Sequence, residues 1–122
     1  MNTVAFLGLG IMGGSMAANL QKAGFAVNVY NRTAAKTAPL AARGARVAPT
    51  PREAAHGASI IIAMVGDDTA SRAVWLGEHG ALGGAEPGAV LVECSTLSIA
   101  WVRELAGLAA ERGLPLLDAP VT

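Results

Sequence analysis

An open, doubly wound parallel β-sheet held between two layers of helices is the fold this sequence predicts. Three observations carry that expectation. Short runs of branched apolar residues alternate along the chain with alanine-rich stretches, the order that builds a three-layer α/β/α fold from right-handed β-α-β units. Glycines stand at most of the changeovers, where helices stop and strands begin. The most apolar run, residues 59–65 (Ser-Ile-Ile-Ile-Ala-Met-Val), lacks the polar alternation of a half-exposed strand and reads as a central parallel strand covered on both faces.

The elements follow in order. Residues 3–7 form a buried strand, and residues 14–23 a helix with Gly24 as its stop signal. Residues 26–30 are the second strand. Residues 34–42 read as a helix closed by Gly44 and weakened or kinked by Pro39. Residues 45–47 give a short third strand. Pro51 at a helix start and Gly57 beyond its end bracket a turn or two of helix. After the central strand, Asp67 or Asp68 caps a helix running to about Leu76. Residues 77–88 are rich in glycine, include Pro87 and read mostly as loop. Residues 89–93 are a strand, 98–112 a helix closed by Gly113, and 114–118 a last strand.

Composition narrows the function classes. At 122 residues the chain is one domain by length, large enough to bury a real core. Nine basic and nine acidic residues cancel, and no basic block appears, so nucleic acid and membrane surfaces are poor candidate partners. The apolar runs are too short to cross a bilayer. Cys94 is the single cysteine, which excludes an internal disulfide and fits a reducing compartment. Residues 1–3 carry no basic leader, so a cytoplasmic location is expected. His56 and His79 have no partner at ligand spacing, so no metal site is expected. Asp67 and Asp68 read as a helix cap rather than a metal pair. Ser95 lacks a Ser/His/Asp setting. Cys94, Met16, Met64, Trp75 and Trp101 read as packing residues.

The chemistry sits at the first changeover. Residues 8–13 read Gly8-Leu9-Gly10-Ile11-Met12-Gly13 directly after the first strand. A strand running into GxGxxG and then a helix is a dinucleotide-binding fingerprint of the Rossmann type. Gly8 permits the turn off the strand, Gly10 lets a pyrophosphate approach the backbone, and Gly13 lets the helix pack close to the strand. The helix N-terminus then offers free N–H groups and the positive end of its dipole.

The second strand ends Asn31-Arg32-Thr33. An acidic residue about 20 positions beyond the glycines binds the ribose 2′-hydroxyl in NAD-specific folds, and none stands here. Arg32 can fork onto a 2′-phosphate and stack beside adenine, with Asn31 and Thr33 as neutral partners. NADP(H) is therefore the expected cofactor. A charge-assisted bond of roughly 1.5–3 kcal/mol corresponds to a preference of about tenfold to a hundredfold.

With these residues in place, the chain resembles the β-hydroxyacid dehydrogenase family. That family includes 3-hydroxyisobutyrate dehydrogenase, tartronate semialdehyde reductase and the glyoxylate/succinic semialdehyde reductases. The matching stretches are residues 8–13 with Asn19-Leu20, then 31–33, then Glu93-Cys94-Ser95-Thr96, then Asp118-Ala119-Pro120-Val121-Thr122. 6-Phosphogluconate dehydrogenase is similar over the first two blocks but usually has alanine where Gly10 stands. The resemblance implies that Met64, Val65 and the loop to Asp67 line the adenosine and ribose side, that Met12 shapes the turn near the phosphates, and that Ser95 and Thr96 approach the nicotinamide ribose and ring. It implies that residues 118–122 belong to the substrate segment, Thr122 replacing a serine that helps hold the substrate carboxylate. Glu93 stands where aspartate is common, and Ser98-Ile99 departs from the usual proline.

The resemblance further implies reversible hydride transfer to or from a small β-hydroxyacid or semialdehyde. In the family a catalytic lysine comes from a helical second domain. Lys22 and Lys36, on predicted helices, do not replace it. The expectation is thus an N-terminal cofactor domain, residues 1–122, with no catalytic residue of its own and inactive alone. An imine-reductase-like cofactor domain, which residues 118–121 argue against, and a non-catalytic NADPH-binding or interaction module are the alternatives. Leu114, Leu116 and Leu117 are expected on an edge strand where the chain self-associates as a homo-oligomer.

Overall fold

The structure, a computed structural model, describes residues 2–121. One parallel sheet of six strands runs through it: β1 (Thr3–Leu7), β2 (Ala26–Tyr30), β3 (Arg46–Val47), β4 (Ile60–Ala63), β5 (Val90–Glu93) and β6 (Leu116–Asp118). Their order across the sheet is β3-β2-β1-β4-β5-β6. The chain steps outward from β1 to β3, returns to lay β4 on the free side of β1, and steps outward again. Such a reversal opens a crevice at the carboxyl ends of the strands on either side of it. The register levels those ends: Leu7 pairs with both Tyr30 and Ala63, Ala63 with Glu93, and Glu93 with Asp118.

The helices are α1 (Ile11–Lys22), α2 (Ala38–Ala41), α3 (Pro51–Ala55), α4 (Asp68–Trp75), α5 (Ala81–Gly84) and α6 (Ile99–Glu111). The expected α/β/α fold is present, and the differences from the sequence reading are local. Helix α1 starts at Ile11 rather than residue 14, because Gly10 takes the extended cap conformation and Gly14 N–H already bonds the Gly10 carbonyl at 2.7 Å. The helix expected over residues 34–42 is broken. A 3₁₀ turn spans Ala34–Thr37, and α2 restarts with Pro39 in its first turn, where a missing N–H costs nothing. The third strand keeps only Arg46–Val47, and residues 77–88 contain the short α5.

Two apolar clusters cover the two faces of the sheet. The period-two alternation of strands sends Ala5 and Leu7 to the α3–α6 face and Phe6 to the α1–α2 face. In β4, Ile61 and Ala63 follow Leu7, while Ile62 packs with Phe6. Trp75 and Trp101 are buried as expected and belong to the α3–α6 cluster, and Cys94 is buried too. Leu114 is buried in that same cluster and Leu116 packs against it, so of the three leucines expected on an exposed edge only Leu117 is largely exposed, at 58%. No described helix is long and apolar enough to cross a membrane.

Polar groups tie α4 to α6. Asp67 caps α4 by accepting from Ala70 N–H at 2.8 Å, and Ser98 caps α6 by accepting from Trp101 N–H at 3.2 Å. Asp68 accepts from Ser98 N–H and Ser98 Oγ, at 2.9 and 2.5 Å. Arg72 forms a two-pronged pair with Glu104, at 2.8 and 3.0 Å, and lies over the Trp101 ring 4.4 Å from its centre. The Ser98 hydroxyl, then the Ser98 N–H and the Arg72 charge, hold the Asp68 carboxyl below its ordinary value of 3.8. A carboxylate depressed on folding stabilises the fold fully above its unfolded value and loses that contribution as pH falls through the folded value. The stability difference between the protein and its Asp68→Asn variant, measured by denaturant titration, is therefore expected to stay flat down to about pH 4 and to shrink below it.

Candidate nucleotide site

Backbone chemistry builds the site before any side chain enters it. Gly8 leaves β1 with φ of 99°, the left-handed region that favours glycine, and its N–H donates to the Tyr30 carbonyl at 2.9 Å. A Cβ on Gly8 would lie 2.2 Å from the Met64 carbonyl oxygen, and one on Gly13 would lie 2.3 Å from the Gly8 carbonyl oxygen. Gly10 faces open space, with nothing within 4 Å of its notional Cβ. These three environments match the three roles expected of the glycines: a turn, a close helix–strand contact and an open approach to the backbone. The first turn of α1 has no acidic residue and no side-chain cap, so its N–H groups lack an intramolecular acceptor from either source.

The second strand end is fastened to this loop. Asn31 Oδ1 accepts from Leu9 N–H at 2.8 Å, and Asn31 Nδ2 donates to the Thr33 carbonyl at 2.9 Å. Asn31 thus spends its amide on shaping the loop pair. Arg32 and Thr33 are left exposed beside it.

Residues 8–13, 31–33 and 64–65 line one cleft of about 420 Å³. Gly66, in the loop running to Asp67, lines it too, as sequence reasoning anticipated for all of these; Lys36 and Ala70 are two further lining residues that it missed. Lys36 carries no sequence signal, because the turn that brings it in reads from the residues as part of a longer helix. A 3₁₀ turn repeats every three residues, and Lys36 N–H bonds the Thr33 carbonyl at 3.1 Å, so Lys36 stacks above Thr33. The cleft carries two cations, Arg32 and Lys36, and no carboxylate among its lining residues. The Arg72–Glu104 ion pair and the His56–Glu86 contact found among the described residues lie elsewhere. A larger depression of about 660 Å³, bounded by Arg46, Arg52, His56 and His79, shares no residue with this cleft.

Ser95 and Thr96 do not line the cleft. Ser95 is buried, and its Oγ accepts from Val65 N–H at 2.8 Å, joining the loops that follow β4 and β5. Thr96 is exposed at the same sheet edge. Asp118 and Ala119 close the β6 side of that edge, Ala119 N–H bonding the Glu93 carbonyl at 2.9 Å. Thr122 lies outside the described residues. Burial pushes the Cys94 thiol up, helped by Glu93 and Asp118, which keeps it protonated. No group of three or more potential metal-binding side chains occurs among the described residues.

Residues 3–122 match the family described as the NAD binding domain of 6-phosphogluconate dehydrogenase. An NAD-dependent L-serine dehydrogenase of Pseudomonas aeruginosa is 39% identical over 122 residues, which is 100% of this chain and 41% of that protein. The solved structure of Mycobacterium tuberculosis 3-hydroxyisobutyrate dehydrogenase with L-serine superposes with a TM-score of 0.91 at 35% identity, covering 100% of this chain and 41% of its own. An imine reductase of Myxococcus stipitatus in complex with NADP+ gives a TM-score of 0.82 at 32% identity, covering 97% of this chain and 40% of its own. The chain thus spans about two fifths of the length of these relatives.

The two tight glycines and the open one are separable by experiment. Gly13→Ala is expected to lower the unfolding free energy by about 1–3 kcal/mol, the cost of forcing a methyl into a packed contact. Gly10→Ala is expected to change it by less than ~1 kcal/mol, because its Cβ meets only solvent. Urea denaturation of the two variants checks both.

Proposed function

The chain belongs to the family of the NAD binding domain of 6-phosphogluconate dehydrogenase, and we propose that it binds NADP(H) as the cofactor-holding part of a longer oxidoreductase. The observation that carries this reading is the cleft of residues 8–13 and 31–33, with Arg32 and Lys36 on its rim and no carboxylate in its lining. An NAD-selective site sets an acid against the ribose hydroxyls, which would repel a 2′-phosphate. Here a guanidinium and an ammonium stand at that place, and a dianion gains from both.

The residues fit a dinucleotide. The uncapped first turn of α1 and the open face at Gly10 suit the pyrophosphate. Arg32, Thr33 and Lys36 suit the phosphorylated ribose. Met64 and Val65 supply apolar contact from the loop after β4. The bound cofactor would supply hydride transfer, and the protein would supply orientation and electrostatics. The chain's own work is to fix two strand-end loops against each other, to keep water from the apolar side of the cleft, and to hold negative charge at the α1 terminus.

The substrate reading rests on what the relatives share. L-Serine and 3-hydroxyisobutyrate each carry a carboxylate and a hydroxyl on the β-carbon. We assign this chain's parent protein to substrates of that class or to the matching semialdehydes, with Thr122 facing the carboxylate. The group that moves the substrate proton is assigned to sequence outside these residues, and the chain alone is expected to show no turnover.

Parallel titration with NADPH and NADH, followed by nicotinamide fluorescence, tests the cofactor assignment. NADPH is expected to bind about tenfold to a hundredfold more tightly, and Arg32→Ala to abolish most of that gap. Equal affinities, or a gap that survives Arg32→Ala, would overturn the assignment.

A further inference from the structure

Glu93 is the last residue of β5 and is fully buried at 0% exposure. Its carboxylate collects three donors and no cation. Oε2 accepts from Ser71 Oγ at 2.7 Å and from Trp75 Nε1 at 2.9 Å, both on α4. Oε1 accepts from Ser95 N–H at 2.9 Å. Ser71 Oγ in turn accepts from Trp101 Nε1 of α6 at 2.8 Å, and Ser95 Oγ accepts from Val65 N–H at 2.8 Å. The carboxylate therefore joins two helices on one side to two strand-end loops on the other.

Stability alone does not call for a charge here. A buried carboxylate without a counterion is costly to desolvate, and an apolar side chain of similar volume fills a core at lower cost. What the charge provides is acceptance on both oxygens at once. A glutamine cannot reproduce it. If its oxygen stays with Ser71 and Trp75, its amide N–H groups face the Ser95 N–H. If it turns over, they face the Ser71 and Trp75 donors.

We propose that Glu93, acting through Ser95, is a positioning residue for the half of the cofactor that Arg32 does not hold. This rests on the cofactor reading above. Arg32 follows β2, on one side of β1, and Ser95 follows β5, on the other, while Val65, after β4, lines the Arg32 cleft between them. A dinucleotide whose pyrophosphate meets the α1 terminus spans that reversal and lays its two halves over opposite sides of it. Held between Glu93 and the Val65 N–H, Ser95 sets the height of the loop after β5 under the nicotinamide riboside.

The test compares NADPH with 2′,5′-ADP, which keeps the phosphorylated adenosine half and lacks the nicotinamide riboside. Calorimetric titrations are run on the protein, Glu93→Gln and Ser95→Ala, with amide hydrogen exchange followed at Val65. Both variants are expected to weaken NADPH binding by about three- to tenfold, the worth of one lost hydrogen bond, and to leave 2′,5′-ADP within about twofold. Both are expected to speed exchange at Val65. Equal losses for the two ligands, or unchanged NADPH affinity, would overturn the proposal. Should Glu93→Gln fail to fold, Ser95→Ala decides alone, because it leaves the carboxylate and its α4 donors in place. If the unaltered protein binds neither ligand, the cofactor reading falls. The exchange rate at Val65 in the variants then still shows whether the bonds couple the loops, and an unchanged rate refutes that coupling.

Discussion

The absence of two side chains governs this molecule. Gly8 and Gly13 bring three pieces of backbone within contact distance: the turn after β1, the first turn of α1 and the end of β4. No other residue fits either position without moving a backbone carbonyl group. From that contact follow the close seat of α1 on the sheet and the alignment of its terminus with the crevice. The nearness of Met64 and Val65 to the loop of residues 8–13 follows as well. The cleft is therefore a by-product of tight packing beneath it.

The rim and the interior use charge in opposite ways. Arg32 and Lys36 stand in solvent, where a charge costs little to keep and acts on whatever anion arrives. Glu93 stands in the core, where its charge is useful only because three donors converge on it. In the proposed reading the exterior charges select and the interior charge orients. Between them the Asn31 amide forms the joint that keeps the β2 end and the residue 8–13 loop in step.

Much of this was legible in the residues. The alternation of strands and helices and the backbone geometry of the glycine fingerprint rest on short-range rules, and those rules hold here. The failures have physical causes. Pro39 was read as a flaw within one helix, yet it starts a second one, because a proline is harmless only in a first turn. Leu114 was read as an edge residue, but the turn before β6 carries it down into the α3–α6 core. The Glu93 cluster was invisible, since its partners come from β5, α4 and α6, and no spacing rule links residues 71, 75, 93 and 101.

The position of β1 at the centre of the sheet carries a consequence for how the chain reaches its fold. One side of β1 pairs with β2 nearby, but the other waits for β4, and Thr3 meets Ser59 across a separation of 56 residues. Parallel pairing across such a distance must be reached against the entropy of closing a long loop. A chain emerging from the ribosome can complete β1, α1, β2 and β3 while the apolar flank of β1 still lacks its partner. An unpaired strand flank of that kind is a template for association with other chains. Arrival of β4 is thus the committing event: it covers the exposed flank, brings Met64 against Gly8, and forms the crevice in the same step.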